Sequence, residues 1–388
     1  MSFAAVRSFL SALLLFILIT SPWIAMAGEG PPVTVRDGDY KAAILVNADT
    51  GEVLYQKNDH DRRPPASMVK MMLMLLVMEK VQMHSVTLQD PVKTSAKASR
   101  FGGSQVYLKE GEVFPLEEMM KAIVIHSAND ACVAVAEFLT GSVEGCVDLM
   151  NRRARELGMG DTHYYSVDGL PPGRGGKPDL SSPYDLSLLA RALVKYPKIL
   201  EWASTKRAPF RGGAFILDNT NKLIGNFRGA DGLKTGYYRK AGYNLTATAS
   251  RDGLRMISVV MGASSDASRV RESGRLLSIG FNMYRKIQVV KKGEPVSSKV
   301  VVTGARKKSV PLSAAADLFV HVRRGQESRV HRELSLPSVL PAPIIKGKAY
   351  GEIVVKNGDH ELGRVPAVST REIPKAPLCY RTVLHFFE

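Results

Sequence analysis

The run "SMVKMMLMLLVMEKV", Ser67–Val81, is apolar at almost every position and made mostly of good helix formers. With no face left for water, it predicts a helix buried centrally in a domain. Upstream, "YKAAILVNADTGEVLYQKN" holds two β-rich runs around Asp49, Thr50 and Gly51, which predict a hairpin from about Ala42 to Gln56. From Leu116 to Leu157 the spacing is helical, "LEEMMKAIVIHSAND" running into "DACVAVAEFLTG" and then "VDLMNRRARELG". "DGLPPGRGGKPDLSSP", Asp168–Pro183, is too rich in Gly and Pro for a regular element. The next helix is expected to start with Ser182 as N-cap, Pro183 at its first position and Asp185 in its first turn.

Between Gly232 and Gly262 the pattern changes to strands, "GLKTGYY", "YNLTATAS" and "LRMISVVMG", with a turn at Asp252 and Gly253. A helix over "RVRESGRLLSIGFNMYRKI" closes this part. Strands at both ends with helices between them predict an α/β (α+β) domain, a mainly antiparallel sheet covered by helices. From about Gln288 onward, short strand-like runs alternate with Pro, Gly and charge, and Asn357-Gly358 is a hairpin signal. This part is read as a small all-β domain.

The first residues combine Arg7, an apolar run from Phe9 to Ile19 and the small-x-small site Ala25, Met26, Ala27, the pattern of a secretory leader cleaved before Gly28, with an uncleaved anchor helix as the competing reading. The organisation expected is therefore a leader over 1–27, a catalytic domain over 28–286, a β domain over 287–373 and a short tail over 374–388. The 388 residues, 45% hydrophobic and 23% charged, can bury a real core. Three cysteines, Cys132, Cys146 and Cys379, are too few and scattered for a disulfide framework or a zinc site. The net charge of +16 comes with no recognised DNA or RNA module, and its cations are spread along the chain, so nucleic acid is not an expected partner. For an exported chain, anionic envelope polymers or lipid headgroups fit better, with a simply basic, soluble surface as the competing reading.

Three short motifs carry the chemistry: "SMVK" at Ser67–Lys70, "SAN" at Ser127–Asn129 and "KTG" at Lys234–Gly236. Each alone is weak, but each occurs once, in the order and context expected for serine β-lactamases and penicillin-binding proteins: a buried helix start, a loop between helices, a strand. A serine hydroxyl needs an adjacent base, and a lysine serves only if its pKa falls well below about 10.4. Burial and a second cation both lower it, and Lys234 supplies that cation. Ser127 can relay a proton from Lys70 to a leaving amine, and Asn129 can hydrogen-bond a substrate amide. Lys234, Thr235 and Gly236 on an edge strand offer backbone pairing to an extended peptide and charge to a carboxylate. The backbone N–H groups of Ser67 and Tyr237 are the candidate oxyanion hole.

Together with "SANDACVAVAEFLTGS", "KAGYNLTATA", "RLLSIGF" and "REIP", these motifs resemble the low-molecular-mass penicillin-binding proteins that are serine D-Ala-D-Ala carboxypeptidases, the penicillin-binding protein 5/6-like family, over roughly Tyr40 to Pro374. The resemblance implies a β-lactamase/transpeptidase-like domain followed by a β domain. It implies Ser67 as the acylated nucleophile, Lys70 as base, Ser127 and Asn129 as the second catalytic element, and Lys234 with Thr235 in the carboxylate-binding strand. Arg269 falls where the family keeps an arginine for the substrate's terminal carboxylate, and Tyr237 stands where histidine is frequent. Peptidoglycan stem peptides would be the substrate and β-lactams inhibitors, with no metal or organic cofactor. In the family the tail is an amphipathic membrane helix; here Tyr380, Val383, Leu384 and Phe387 share one helical face, in a short segment suited to weak contact.

The rivals differ in chemistry. A class A β-lactamase needs a glutamate that the Asp168–Pro183 loop lacks, and has no second β domain. A non-catalytic wall protein would be expected to lose Lys70 or Ser127, and a D,D-endopeptidase shares all three motifs. Cys132 is read as a small buried cysteine, His126 as a structural neighbour of Ser127, and Asp168 is given no catalytic role.

Overall fold

The strands Ala42–Asn47 (β1) and Val53–Lys57 (β2) form the expected hairpin. The computed structural model describes residues 36–173, 175–296 and 300–377, so the predicted leader, Cys379 and the four-residue face of the tail lie outside the described residues. The long apolar run opens with a 3-10 turn, Ala66–Val69, and continues as the helix Lys70–Gln82 (α1). The helical stretch after it divides into Leu116–His126 (α2), Asn129–Thr140 (α3) and Val143–Glu156 (α4). Pro183–Leu193 (α5) starts as the cap residues require, with Ser182 Oγ accepting from the Asp185 N–H at 3.2 Å.

The strands Ala230–Tyr238 (β3), Gly242–Arg251 (β4) and Leu254–Ala263 (β5) complete one antiparallel sheet in the order β2-β1-β5-β4-β3. Alternation along β1 shows why both faces must be covered. Ala42, Ile44 and Val46 pack with α1 and the other middle helices, whereas Ala43 and Leu45 pack with the helix Asp266–Met283 (α6). The predicted last turn of α6 behaves differently from the expectation. "YRKI" leaves the helix and opens the strand Tyr284–Val290, which pairs with Leu318–Arg323, because Tyr284 and Arg323 both reach Glu52 at the tip of the first hairpin.

Beyond it, Val302, Leu312, Ile344, Val355 and Ala367 form a separate all-β core. Asn357 pairs with His360 across the predicted hairpin turn. The fold class is therefore the one expected: a helix-covered antiparallel sheet followed by an all-β domain.

Leu73, in the middle of α1, is fully buried, so Leu73→Ala should destabilise the protein by about 2–5 kcal/mol, read as a lower urea midpoint. Met83→Ala, at a side chain 68% exposed, should leave that midpoint within error.

Candidate active site

Four parts of the chain converge on Ser67. The start of α1 brings Lys70, the junction between α2 and α3 brings Ser127 and Asn129, the loop before α5 brings Asp168, and β3 brings Lys234–Tyr237. Lys70 Nζ lies 2.9 Å from Ser67 Oγ, 2.7 Å from Asn129 Oδ1 and 2.7 Å from the Asp168 carbonyl oxygen. Asn129 is oriented by its own amide, whose Nδ2 donates to the Gly102 carbonyl at 2.8 Å.

These acceptors determine what the amine can do. An ammonium has three N–H donors and meets three acceptors here. A neutral amine has two donors and one lone pair, and two of its neighbours are carbonyl oxygens that can only accept. Both N–H groups therefore go to Asn129 and Asp168, and the lone pair is left for the Ser67 hydroxyl. Burial pushes Lys70 below its ordinary value, against the pull of Cys132 and of Asp168, Asp179 and Asp130.

Lys234 is also buried, and burial, then the charges of Lys70 and Arg269, push it well below the ordinary lysine value. Among the described residues its Nζ donates to one acceptor, the Thr235 carbonyl, at 3.0 Å. Thr235 Oγ1 donates to Thr220 Oγ1 at 2.7 Å. Ser127 ends α2 in a left-handed conformation, φ 66°, a strained position for a residue with a Cβ. The loop facing it is fastened to the α2–α3 junction: Ser104 Oγ donates to the His126 carbonyl, the Asn129 N–H donates to the Ser104 carbonyl, and Asp130 accepts from the Val106 and Leu108 N–H groups.

Two glycines let backbone approach the Ser67 peptide. A Cβ on Gly236 would sit 2.3 Å from the Pro65 carbonyl oxygen and 3.2 Å from Ser67 N. One on Gly169, at φ +78°, would sit 2.1 Å from the Ala66 carbonyl oxygen. Between them Ala66 itself is held at φ 52°. Asn244, fully buried on β4, donates from Nδ2 to the Pro64 and Pro65 carbonyls and accepts from the Gly262 N–H. The sequence reading missed Asn244, Gly169, Thr220 and the Asp168 carbonyl, since all four act through contacts with distant segments. A small residue beside a motif, such as Gly169 after Asp168, is the only local trace.

β3 is an edge strand, with one side free of any partner strand among the described residues. Tyr237 is 51% exposed there and stacks on Tyr243, ring centroids 4.1 Å apart. Arg269 lies behind the strand: Nη1 donates to the Gly236 and Asn244 carbonyls, each at 3.2 Å, and Nε to Asp266 at 2.7 Å. Its guanidinium is thus occupied by the protein. Burial pushes the Cys132 thiol up to about 12, which keeps it an inert core residue. His126 packs edge-on to Phe215, and burial holds its imidazole below the usual range.

The half-buried Ser67 and the buried Lys70 face an antiparallel edge strand, the arrangement expected of a penicillin-binding serine peptidase. Comparison with known proteins narrows the class. A family model described as D-alanyl-D-alanine carboxypeptidase matches residues 31–265, and one described as the C-terminal domain of penicillin-binding protein 5 matches residues 284–375. The chain belongs to the D-alanyl-D-alanine carboxypeptidase family. It is 35% identical to D-alanyl-D-alanine carboxypeptidase DacF of Bacillus subtilis over 95% of each chain. With DacA of Escherichia coli it is 31% identical, over 87% of this chain and 84% of that one. Penicillin-binding protein 5 of Haemophilus influenzae superposes with a TM-score of 0.64 at 27% identity, covering 88% of this chain and all of that chain. Penicillin-binding protein D2 of Listeria monocytogenes, solved in an ampicillin-bound form, superposes with a TM-score of 0.59 at 30% identity, covering 64% of this chain and all of that chain.

Two substitutions test the geometry. Asn129→Asp puts a carboxylate at Lys70, raises its pKa and keeps it protonated, so penicillin acylation at neutral pH should fall on the order of tenfold or more and recover as pH rises. Gly169→Ala should lower both melting temperature and acylation rate, because its Cβ meets backbone that cannot move away.

Proposed function

We propose that this chain removes the terminal D-alanine from peptidoglycan stem pentapeptides through an acyl-enzyme on Ser67. The observation that carries the proposal is the acceptor pair, Asn129 Oδ1 and the Asp168 carbonyl, which leaves the Lys70 lone pair to Ser67. Ser67 Oγ attacks the carbonyl of the penultimate D-alanine, and its proton passes to Lys70 Nζ. The negative charge that develops on the carbonyl oxygen is met by the N–H groups of Ser67 and Tyr237, which the glycine contacts of β3 support as neighbours. The C–N bond then breaks, and the departing amine takes its proton from Lys70 through Ser127. Water, activated by the same amine, attacks the ester, releases the shortened peptide and restores Ser67.

Lys234 and Thr235 are assigned to the terminal carboxylate. A buried amine with a single protein acceptor gains most from an anion, and its binding draws the proton back onto Lys234. Arg269 contributes positive field from behind the strand and holds Gly236 in place, since its own donors face the protein. The extended substrate pairs with the free edge of β3 beside Gly236. A β-lactam presents a similar carbonyl and carboxylate and would acylate the same serine. The leader pattern, read with this substrate, points to export and to action in the periplasm or cell envelope. There, trimming pentapeptides would limit cross-linking donors and so influence cell shape.

D-Alanine release from a diacylated L-Lys-D-Ala-D-Ala peptide, run beside labelling with fluorescent penicillin, tests the assignment. Wild type should do both, and Ser67→Ala should do neither while keeping its melting temperature. Labelling without D-alanine release would move the function to an endopeptidase or a binding protein. Full activity in Ser67→Ala would reject the nucleophile.

A further inference from the structure

β3 ends in a charged turn. Tyr238, its last residue, pairs with Gly242 at the start of β4, and the Ala241 N–H donates to the Tyr238 carbonyl at 3.0 Å. Gly242, at φ 71°, takes the left-handed conformation with which the chain turns back. Arg239 and Lys240 stand at the tip of this turn, both exposed, and among the described residues neither has an ion pair or a side-chain hydrogen bond. Exposed cations are spread over the whole surface, and these two are set apart by the strand they terminate.

The Tyr238 carbonyl points toward β4, so alternation turns the peptide groups of Thr235 and Tyr237 to the free edge. The inference rests on the substrate reading above, in which the terminal carboxylate meets Lys234 and Thr235 and the scissile carbonyl meets the Tyr237 N–H. A peptide so placed runs antiparallel to β3, its penultimate residue across from Tyr237 and the residue before that across from Tyr238. At about 3.4 Å per residue, this earlier residue lies one step from the turn, and a long side chain on it comes within reach of both cations. The acids that act on the tyrosines at this end are already engaged. Asp179, whose charge acts on Tyr238, accepts from the Tyr165 and Ser166 N–H groups and from Ser166 Oγ. Asp266, whose charge acts on Tyr243, pairs with Arg269 at 2.6 Å.

We propose that Arg239 and Lys240 select stem peptides whose third residue ends its side chain in a carboxylate, as a diamino dicarboxylic acid does and lysine does not. A guanidinium can hold a carboxylate through two parallel hydrogen bonds, and the neighbouring ammonium adds a point charge. A lysine side chain in the same place meets like charge. Both cations stand in solvent, so the selection is several-fold rather than absolute, and it is weakened by salt.

The test compares N-acetylated tripeptides ending in D-Ala-D-Ala whose first residue is L-2-aminoadipate, its side-chain amide or L-lysine. The first two have the same shape and differ in charge. Wild type should release D-alanine from the aminoadipate peptide with a kcat/KM about three- to tenfold above that for the amide, with lysine lower still, and the preference should shrink as salt rises. Arg239→Gln with Lys240→Gln should bring the ratio near unity, and Arg239→Glu with Lys240→Glu should reverse it in favour of lysine. Lys93→Gln with Lys195→Gln, an equal loss of charge elsewhere on the catalytic domain, should keep the wild-type ratio. Because the readout is a ratio, a variant with less folded enzyme lowers both rates together and leaves it unchanged. The same peptides, used to compete with fluorescent penicillin for Ser67, report the preference without turnover. A preference in competition with no D-alanine release would keep the subsite and reject the reaction proposed above. A wild-type ratio near unity in both assays, or the full preference surviving in Arg239→Gln with Lys240→Gln, would overturn the proposal.

Discussion

Holding a lysine amine below its ordinary pKa beside a serine, inside a protein, is the constraint around which the molecule is arranged. A lysine in water holds its proton far above neutral pH, and only removal from water lowers that preference enough for the amine to act as a base. Lys70 is fully buried because α1, which carries it, is apolar on all sides and lies between the sheet and the other helices. Burial alone would leave a polar group without partners, at a cost of several kcal/mol. Asn129 and the Asp168 carbonyl supply those partners without supplying charge, so they satisfy the N–H groups and leave the amine basic but uncommitted.

The same economy of space governs the backbone around Ser67. Acyl transfer to a serine at a helix start requires that a peptide pass close to it and that N–H groups point into the same small volume. Gly236 and Gly169 both approach it closely, and a side chain at either would displace Pro65 or Ala66. Asn244 closes the arrangement from the neighbouring strand by holding both proline carbonyls, while Arg269 holds the far side of Gly236. The positive φ of Ala66 and of Ser127 then reads as strain kept in place by these contacts, concentrated where the chemistry is.

A polar contact joins the β domain to this machinery. Glu52, at the tip of the first hairpin, accepts from Arg323 and from the Tyr284 hydroxyl, and α6 passes straight into the strand that carries Tyr284. The domain has its own core, and on its surface Arg332, Lys356 and Arg364 each meet a glutamate. The domain thus meets the catalytic domain through a glutamate of the first hairpin.

Much of this was legible in the residues alone, and the reason is that the signals are local. Burial of α1 follows from a run with no polar face, the cap at Ser182 from three adjacent residues, and the S-x-x-K pair from helix geometry, which brings Ser67 and Lys70 together wherever the helix goes. Tyr284–Ile287 was misread as the end of a helix because its strand character comes from pairing with Leu318–Arg323, a partner the local pattern does not contain. For the same reason Asp168 was given no role: its contribution is a backbone carbonyl, which carries no residue signature, delivered across 98 positions of chain. Asn129 was read as a partner for a substrate amide, and folding also turns its oxygen toward the lysine. Residue types and short spacings thus dictated which groups could react. Their pKa values and their orientation were decided only when distant segments were packed together, since solvent exclusion and long-range contacts are properties of the folded chain.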